Sequence, residues 1–207
     1  VPFIVTTLGT MSIYRGLIYF VSDGKQVYSS EFSENFLGLI HFKFLSLSFL
    51  FWIAAAVFII MYILLNHTRF GRNLYSLGGN PEAAKYIGIN ENKYIILAYS
   101  ISGLFAGLCG YLWVARYSVA STQIAIGFEL TVISACVVGG ISVMGGVGTV
   151  LGCLLGALLI GLIRNALPVV DISQFWQLAI SGAIILLAII INTKTEQRKE
   201  KTVMVEE

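Results

Sequence analysis

Residues 71–90, GRNLYSLGGNPEAAKYIGIN, form a polar stretch between two long apolar runs. The run before it, 46–65 (SLSFLFWIAAAVFIIMYILL), and the run after it, 95–115, each have the length of about 20 residues that a membrane-crossing helix requires. The stretch therefore indicates a chain that crosses a membrane, returns to water, and crosses again.

The composition of the whole chain supports this interpretation. Of the 207 residues, 57% are hydrophobic and 12% are charged, whereas a soluble domain carries about 25% charged residues. The net charge of +2 is too small to suggest nucleic acid as a partner. The sequence predicts an all-α fold, a polytopic transmembrane helical bundle in contact with membrane lipid.

The apolar runs predict about six membrane spans in a single transmembrane domain that covers residues 1–207. Five are well defined: 46–65, 95–115, 128–144, 149–166 and 175–192. A sixth lies at 1–21, where Pro2 and Arg15 leave a tilted or partly re-entrant segment as an alternative.

Basic residues indicate the orientation, because loops rich in Lys and Arg are retained in the cytoplasm. They concentrate in the loop 66–94 and in the tail 193–207, namely at Arg69, Arg72, Lys85, Lys93, Lys194, Arg198, Lys199 and Lys201. The predicted spans that separate the two regions are even in number, so both regions lie on one side. We expect the loop, the tail and the carboxy terminus to be cytoplasmic.

Local signals predict a short helix within this loop. They are an N-cap at Asn80, Pro81 at the first helical position, acidic Glu82 in the first turn, helix-forming Ala83 and Ala84, and a stop at Gly88. Isolated helices shorter than about 12 residues are marginal in water. The helix therefore needs a supporting surface, and a docked partner and a rigid connector without a partner both remain open.

Glycines mark two further features. Those at Gly139, Gly140, Gly145 and Gly146 weaken the predicted span 128–144, and interrupted helices in transporters often mark the substrate path or a moving element. Those at Gly148, Gly152 and Gly156, and at Gly103 and Gly107, recur at a spacing of four residues. This spacing is typical of helices that approach closely within a membrane.

Charged side chains within spans are costly, so Arg15, Glu129 and Arg164 are candidate functional residues. Arg164 lies near the end of its predicted span, from which it can reach the membrane interface by snorkelling. The alternative is that Arg164 pairs with Glu129 or Asp171 in an outer gate.

We find no pattern typical of enzyme chemistry. His41 and His67 have no second ligand near them, so no metal is expected, and no cofactor is expected either. The three cysteines lie within apolar runs and are predicted to be small buried side chains. The sequence has no G-x-x-x-x-G-K-[ST] phosphate loop, so an ATP site would need another subunit.

Three segments carry a resemblance to a known family: FGRNLYSLGGNPEAAKYIGIN at 70–90, GFELTVISACVVGGISVMGGVGTVLGCLLGALLIGLI at 127–163, and FWQLAISGAIILLA at 175–188. Together they resemble the permease subunit of bacterial ABC importers for ribose, xylose, galactose and related sugars, including autoinducer-2. The likeness extends back to VPFIVTTLGTMSIYRG and covers almost the whole chain. Members are longer at the front, so we expect this chain to be the carboxy-terminal portion of a permease.

The resemblance implies that the loop 66–94 holds a coupling helix that docks on an ATP-binding ABC subunit. That role falls on Gly79, Asn80, Pro81, Glu82, Ala83, Ala84 and Gly88. It also implies a second permease subunit in a homo- or heterodimer, an extracytoplasmic sugar-binding protein and a place in the bacterial plasma membrane. Glu129 matches an acidic residue that is common in the family, whereas Thr131 stands where an acidic side chain is usual.

Three other interpretations remain. A branched-chain amino-acid ABC permease of the same superfamily shares the FGR-like loop, although GGNPEAA favours the sugar branch. An ion-coupled secondary transporter would need an inverted repeat and more intramembrane acids than Glu129. A structural membrane subunit without a transport path is the third.

Overall fold

A computed structural model describes residues 3–33, 47–143 and 145–170, together with positions 36, 38, 43, 44, 176, 179, 182, 183 and 186. The helices are α1 (Phe3–Ser22), α2 (Phe49–His67), α3 (Arg69–Gly79), α4 (Pro81–Tyr86), α5 (Glu91–Tyr117), α6 (Phe128–Val138) and α7 (Val150–Ala166). The strands are only two residues long: β1 (Val27–Tyr28), β2 (Lys43–Phe44), β3 (Leu47–Ser48) and β4 (Val119–Ala120). The predicted all-α class is confirmed.

Within the described residues, three helices are long and apolar enough to cross a membrane: α2, α5, and α7 with its extension to Val169. They confirm the predicted spans 46–65, 95–115 and 149–166. Helix α5 begins four residues earlier than predicted, at Glu91, because the Asn90 side chain caps it by accepting a hydrogen bond from the Lys93 amide at 3.2 Å. The predicted span 175–192 lies outside the described residues except for isolated positions.

The predicted span 128–144 is wrong in its second half. Helix α6 ends at Val138 after 11 residues, which is about 16 Å of helix and roughly half of a membrane core. Gly139 forms the C-cap, and Gly140 has a φ of +82°, a left-handed conformation that an α-helix does not contain. The described residues between Val138 and Val150, called here the link, are not helical.

Helix α1 is continuous through Arg15, so the first predicted segment is helical. Among the described residues, it is not one of the three helices identified as long and apolar enough to cross a membrane.

One compact unit contains Val1–Ala54 and Ser100–Ile126. Strands β1 and β4 pair antiparallel in it, and the Tyr111 hydroxyl donates a hydrogen bond to the Phe36 carbonyl at 3.5 Å. The predicted close packing at Gly103 and Gly107 is absent among the described residues, since a Cβ at either position would meet no atom within 4 Å.

The second compact unit contains Ala55–Tyr99 and Gly127–Glu207. Its main contact is the antiparallel pair α6 and α7, which pack backbone against backbone. A methyl group on Gly156 would collide with the Ala135 carbonyl, and one on Gly152 would collide with the Gly139 carbonyl. The predicted packing role of Gly152 and Gly156 is therefore confirmed, whereas Gly148 precedes the helix and belongs to the link.

The chain turns sharply between α2 and α3. The Thr68 hydroxyl donates to the Leu64 carbonyl at 2.6 Å and accepts from the Gly71 amide at 3.4 Å, which caps α3. The backbone at Gly71 lies against Leu65, leaving no room for a Cβ. This junction sets the direction in which α3 leaves the membrane-crossing helix.

Helix α3 lies against the beginning of α5. The Asn73 amide donates a hydrogen bond to the Tyr94 hydroxyl at 2.6 Å, and the Phe70 and Tyr94 rings stack with centroids 5.8 Å apart. The loop 66–94 is therefore folded from end to end, with α3 and α4 between two crossing helices.

Candidate functional site

Helix α4 begins where the sequence predicts. The Asn80 side chain accepts a hydrogen bond from the Ala83 amide at 3.0 Å, and Pro81 occupies the first helical position. An N-cap satisfies one of the amides that a helix start leaves unpaired, and proline has no amide to leave unpaired. The predicted role of these residues in starting the helix is confirmed.

The predicted stop at Gly88 is also confirmed. Gly88 has a φ of +82°, and its amide donates to the Lys85 carbonyl at 3.0 Å, while the Ile89 amide donates to the Ala84 carbonyl at 3.0 Å. This pair of bonds is a Schellman motif, which satisfies the last carbonyls of a helix. A helix of six residues is thus capped at both ends.

The two sides of α4 differ in exposure. Ala84 is only 2% exposed, whereas Tyr86 is 92% exposed and the adjoining Ile87 is 73% exposed. Tyr86 and Ile87 are adjacent, so they form an exposed apolar pair beside the end of α4. The sequence interpretation missed Tyr86 and Ile87, although two large apolar residues beside a helix stop were a signal.

An ion pair joins α4 to the start of α5. The Lys85 ammonium lies 2.8 Å from a Glu91 carboxylate oxygen. The hydrogen bond and the charge of Glu91 raise the pKa of the Lys85 amine above its ordinary value of 10.5. Both side chains are partly exposed, so the pair contributes little to the stability of the fold.

The sequence interpretation did not predict α3. This helix of 11 residues has one apolar side, where Gly71 and Leu77 are buried, and it packs against α4. Part of the supporting surface that α4 requires therefore comes from its own loop, while the side bearing Tyr86 stays open.

A cavity of about 500 Å³ lies between the end of α2, α3 and the link between α6 and α7. Its lining includes Met61, Leu65, Leu74, Tyr75, Ile141 and Cys153. Sugar sites need several converging polar groups, and this lining is mostly apolar. The cavity does not suit a sugar.

Two of the three charged candidates, Glu129 and Arg164, lie at the end of the α6–α7 pair remote from the link, whereas Arg15 lies in α1. The Arg164 guanidinium donates a hydrogen bond to the Thr131 hydroxyl at 3.4 Å. Within the described part of the chain no ion pair joins Arg164 to Glu129, which lies in the first turn of α6. Asp171, the other predicted partner, lies outside the described residues.

The structure brings together two cysteines that the sequence treats separately. The Sγ atoms of Cys136 in α6 and Cys153 in α7 lie 3.9 Å apart, and both side chains are half-buried. Cys109 is exposed, so its predicted burial is wrong. In a membrane protein an apolar residue need not be covered by its own chain, because lipid tails are as apolar as the core.

The helices long enough to cross a membrane and the folded loop between two of them define a multi-pass membrane protein. The model of the family described as "Branched-chain amino acid transport system / permease component" matches residues 1–189, and the chain belongs to this family. No solved structure matches the chain.

Three curated proteins are similar to this chain over almost its whole length. The chain is 38% identical over 200 residues to the L-arabinose transport system permease protein of Escherichia coli K12, covering 97% of this chain and 60% of that protein. It is 38% identical over 207 residues to the galactose/methyl galactoside import permease protein of the same strain, covering 96% and 60%. The chain is 37% identical over 197 residues to the ribose import permease protein of that strain, covering 93% of this chain and 60% of that protein. The chain spans 60% of the length of these relatives.

Proposed function

We propose that this chain forms part of the membrane-spanning permease subunit of an ATP-driven importer, and that it contributes to the path for a monosaccharide. Three relatives at 37–38% identity carry the names of permeases for L-arabinose, galactose and ribose. All three names refer to small neutral sugars, so a pentose or hexose is the proposed substrate class. The proposed location is the bacterial inner (plasma) membrane.

Helix α4 is the proposed coupling helix, with Gly79, Asn80, Pro81, Glu82, Ala83, Ala84 and Gly88 as its framework. The observation that carries this role is the contrast between its buried Ala84 and its exposed Tyr86 and Ile87. Caps at both ends keep the helix rigid, so little conformational entropy is lost when a partner covers the exposed side. The loop 66–94 and the tail 193–207 are cytoplasmic in this proposal.

The partners follow from this arrangement. An ATP-binding ABC subunit receives α4, a second permease subunit completes a homo- or heterodimer, and an extracytoplasmic sugar-binding protein delivers the sugar to the outer face. ATP hydrolysis then belongs to the separate subunit, since the chain has no phosphate-binding loop.

Glu129, Gly139, Gly140 and Arg164 are the proposed gate or path residues. Arg164 and Glu129 lie near the same end of the α6–α7 pair, and Gly139 and Gly140 end α6. The exchange of Glu129→Arg with Arg164→Glu tests a gate formed by a direct pair. Sugar uptake restored by the double exchange supports the pair, and full uptake by both single variants dismisses it.

The coupling role is tested by measuring whether a permease variant still binds the ATP-binding subunit. The full-length permease carrying Tyr86→Ala and Ile87→Ser is co-expressed with the ATP-binding subunit of its operon and purified in mild detergent. Loss of a buried aromatic contact typically costs about 1–2 kcal/mol, so association should weaken roughly tenfold. Tyr28→Ala is the matched control, because Tyr28 is 54% exposed and lies in β1, outside the coupling loop.

Unchanged co-purification of the Tyr86→Ala and Ile87→Ser variant would contradict the docking role. The orientation is tested separately with Lys85→Cys. In intact cells a membrane-impermeant thiol reagent should leave this cysteine unlabelled, and labelling of it from outside would place the loop on the wrong side for an ATPase.

The family description favours one second candidate, a branched-chain amino-acid permease. Cells dependent on the complex are offered labelled ribose, galactose, L-arabinose or leucine. Leucine uptake without sugar uptake would select the second candidate. Uptake that survives loss of the ATP-binding subunit but stops with a protonophore would instead select an ion-coupled transporter.

A further inference from the structure

The end of α3 touches the link between α6 and α7 through backbone alone. A Cβ atom on Gly78 would lie 2.5 Å from the Gly146 amide nitrogen, and one on Gly146 would lie 2.6 Å from the Gly79 Cα. Cβ atoms do not approach other atoms this closely, so a side chain fits at neither Gly78 nor Gly146. The two backbones are in direct contact.

A hydrogen bond fixes the same contact one turn earlier in α3. The Tyr75 hydroxyl donates to the Gly148 carbonyl at 3.1 Å. The link is itself closed by the Ser142 amide, which donates to the Val147 carbonyl at 2.9 Å. Helix α3 therefore touches a closed turn at two places rather than a loose loop.

The turn passes directly into the α6–α7 pair. The Thr149 hydroxyl caps α7 by accepting from the Gly152 amide at 3.0 Å. Gly152 and Gly156 then lie so close to the backbone of α6 that neither has room for a Cβ. Every step from Gly78 to α6 is thus a contact between backbones, without a flexible side chain between them.

We propose that the contact of Gly78 and Gly79 with Gly145 and Gly146, called here the glycine joint, passes displacement of α4 to the α6–α7 pair during transport. The proposal rests on the coupling role of α4 given above. Gly79 immediately precedes Asn80, the N-cap of α4, so the joint lies next to the docking helix. Tightly packed contacts have low compressibility and transmit movement rather than absorb it.

The transport path thereby connects to the ATPase through one short route. Displacement of α4 moves the end of α3, α3 moves the turn, and the turn moves the start of α7 with the end of α6 beside it. Chains of packed contacts between rigid elements with two arrangements can carry coupling between distant sites. This series of contacts ends at Gly139 and Gly140, the proposed path residues at the end of α6.

Two helical glycines provide a matched test. In Gly78→Ala the methyl group meets the Gly146 backbone, whereas in Gly110→Ala it meets no atom of the described residues within 4 Å. Gly110 lies in α5, outside both the coupling loop and the glycine joint. Each variant is placed in the full-length permease and reconstituted in proteoliposomes with its ATP-binding subunit and binding protein. The readouts are bound ATPase, ATP hydrolysis, and uptake of whichever of ribose, galactose and L-arabinose the wild type accepts.

Gly78→Ala should keep the ATPase bound and hydrolysing while the sugar transported per ATP falls roughly two- to thirtyfold, the range of mutations along coupling routes. Gly110→Ala should match the wild type. Wild-type transport per ATP in Gly78→Ala overturns the proposal. Loss of ATPase binding in Gly78→Ala also overturns it, because the contact would then serve assembly.

Tyr75→Phe keeps the proposal testable if Gly78→Ala does not fold, since it removes only the bond to Gly148. It should lower transport per ATP in the same direction by about twofold, and an unchanged ratio overturns the proposal. Two results with the wild-type complex would refute the proposed function instead: no uptake of any sugar, or binding of the ATPase without α4. Both are measured before any variant of the glycine joint is compared.

Discussion

Cys136 and Cys153 face each other across the α6–α7 pair, with their Sγ atoms 3.9 Å apart. The two thiols belong to different helices of the described part of the chain, and neither forms a disulfide there. A disulfide needs a sulfur separation of about 2.05 Å. A small movement of the two side chains would therefore bring the thiols to bonding distance.

We predict that a mild oxidant, which takes two electrons and two protons from the thiols, links Cys136 to Cys153 within one chain. Because the glycine joint moves α6 and α7 together, the cross-link should leave sugar uptake nearly unchanged. Mass spectrometry of the proteolysed permease identifies the linked peptides, and Cys153→Ser is the control. Uptake abolished by oxidation in the wild type but not in Cys153→Ser would show that α6 and α7 move apart.

Removal of the α4 cap should weaken the helix. Asn80→Ala deletes the acceptor for the Ala83 amide, and loss of an N-cap costs about 0.5–2 kcal/mol. ATPase association measured by co-purification should fall, since a frayed helix must be ordered again on docking. Asn80→Asp keeps a capping oxygen and should retain most of the association. An equal loss in both variants would show that the side-chain amide of Asn80, and not its capping oxygen, is needed for association.

The junction between α2 and α3 should tolerate no side chain at Gly71. A methyl group there meets the Leu65 backbone, whereas one on Gly103 meets nothing within 4 Å among the described residues. Forcing extra volume into a tight contact costs about 1–3 kcal/mol. Gly71→Ala should lower the melting temperature of the permease in detergent, and Gly103→Ala should not. Equal melting temperatures would contradict the close junction.

The ion pair of Lys85 and Glu91 predicts a specific pH response. A raised pKa on a base means that its stabilising contribution is present below the ordinary value of 10.5 and is lost as the pH rises through the higher value. Between pH 6 and 9, well below this window, the pair should therefore respond to pH very little. In Glu91→Gln, acylation of the Lys85 amine should begin at lower pH than in the wild type, as measured by mass spectrometry of the purified permease. An unchanged profile would show that the pair does not form.

Local chemistry made α4 predictable. Its start and stop depend on Asn80, Pro81 and Gly88, whose preferences act over three or four neighbouring residues. The membrane-crossing helices were predictable for a similar reason, because about 20 apolar residues in a row have no other stable arrangement in a bilayer. The end of α6 was only half predicted: the glycines were recognised as weak points, but the helix was extended past them.

The sequence by itself determined the class of protein, the crossing helices α2, α5 and α7, and the capped helix α4, because each depends on composition or on residues adjacent in the chain. The tertiary structure alone decided that Gly78 meets Gly146, that Arg164 reaches Thr131 and that Cys136 faces Cys153. These pairs are separated by 17 to 68 residues in the chain, and a glycine in sequence looks the same whether a backbone or empty space lies beside it. Gly78 and Gly79 are adjacent and identical, and only their surroundings distinguish the position without room for a methyl group from the open one.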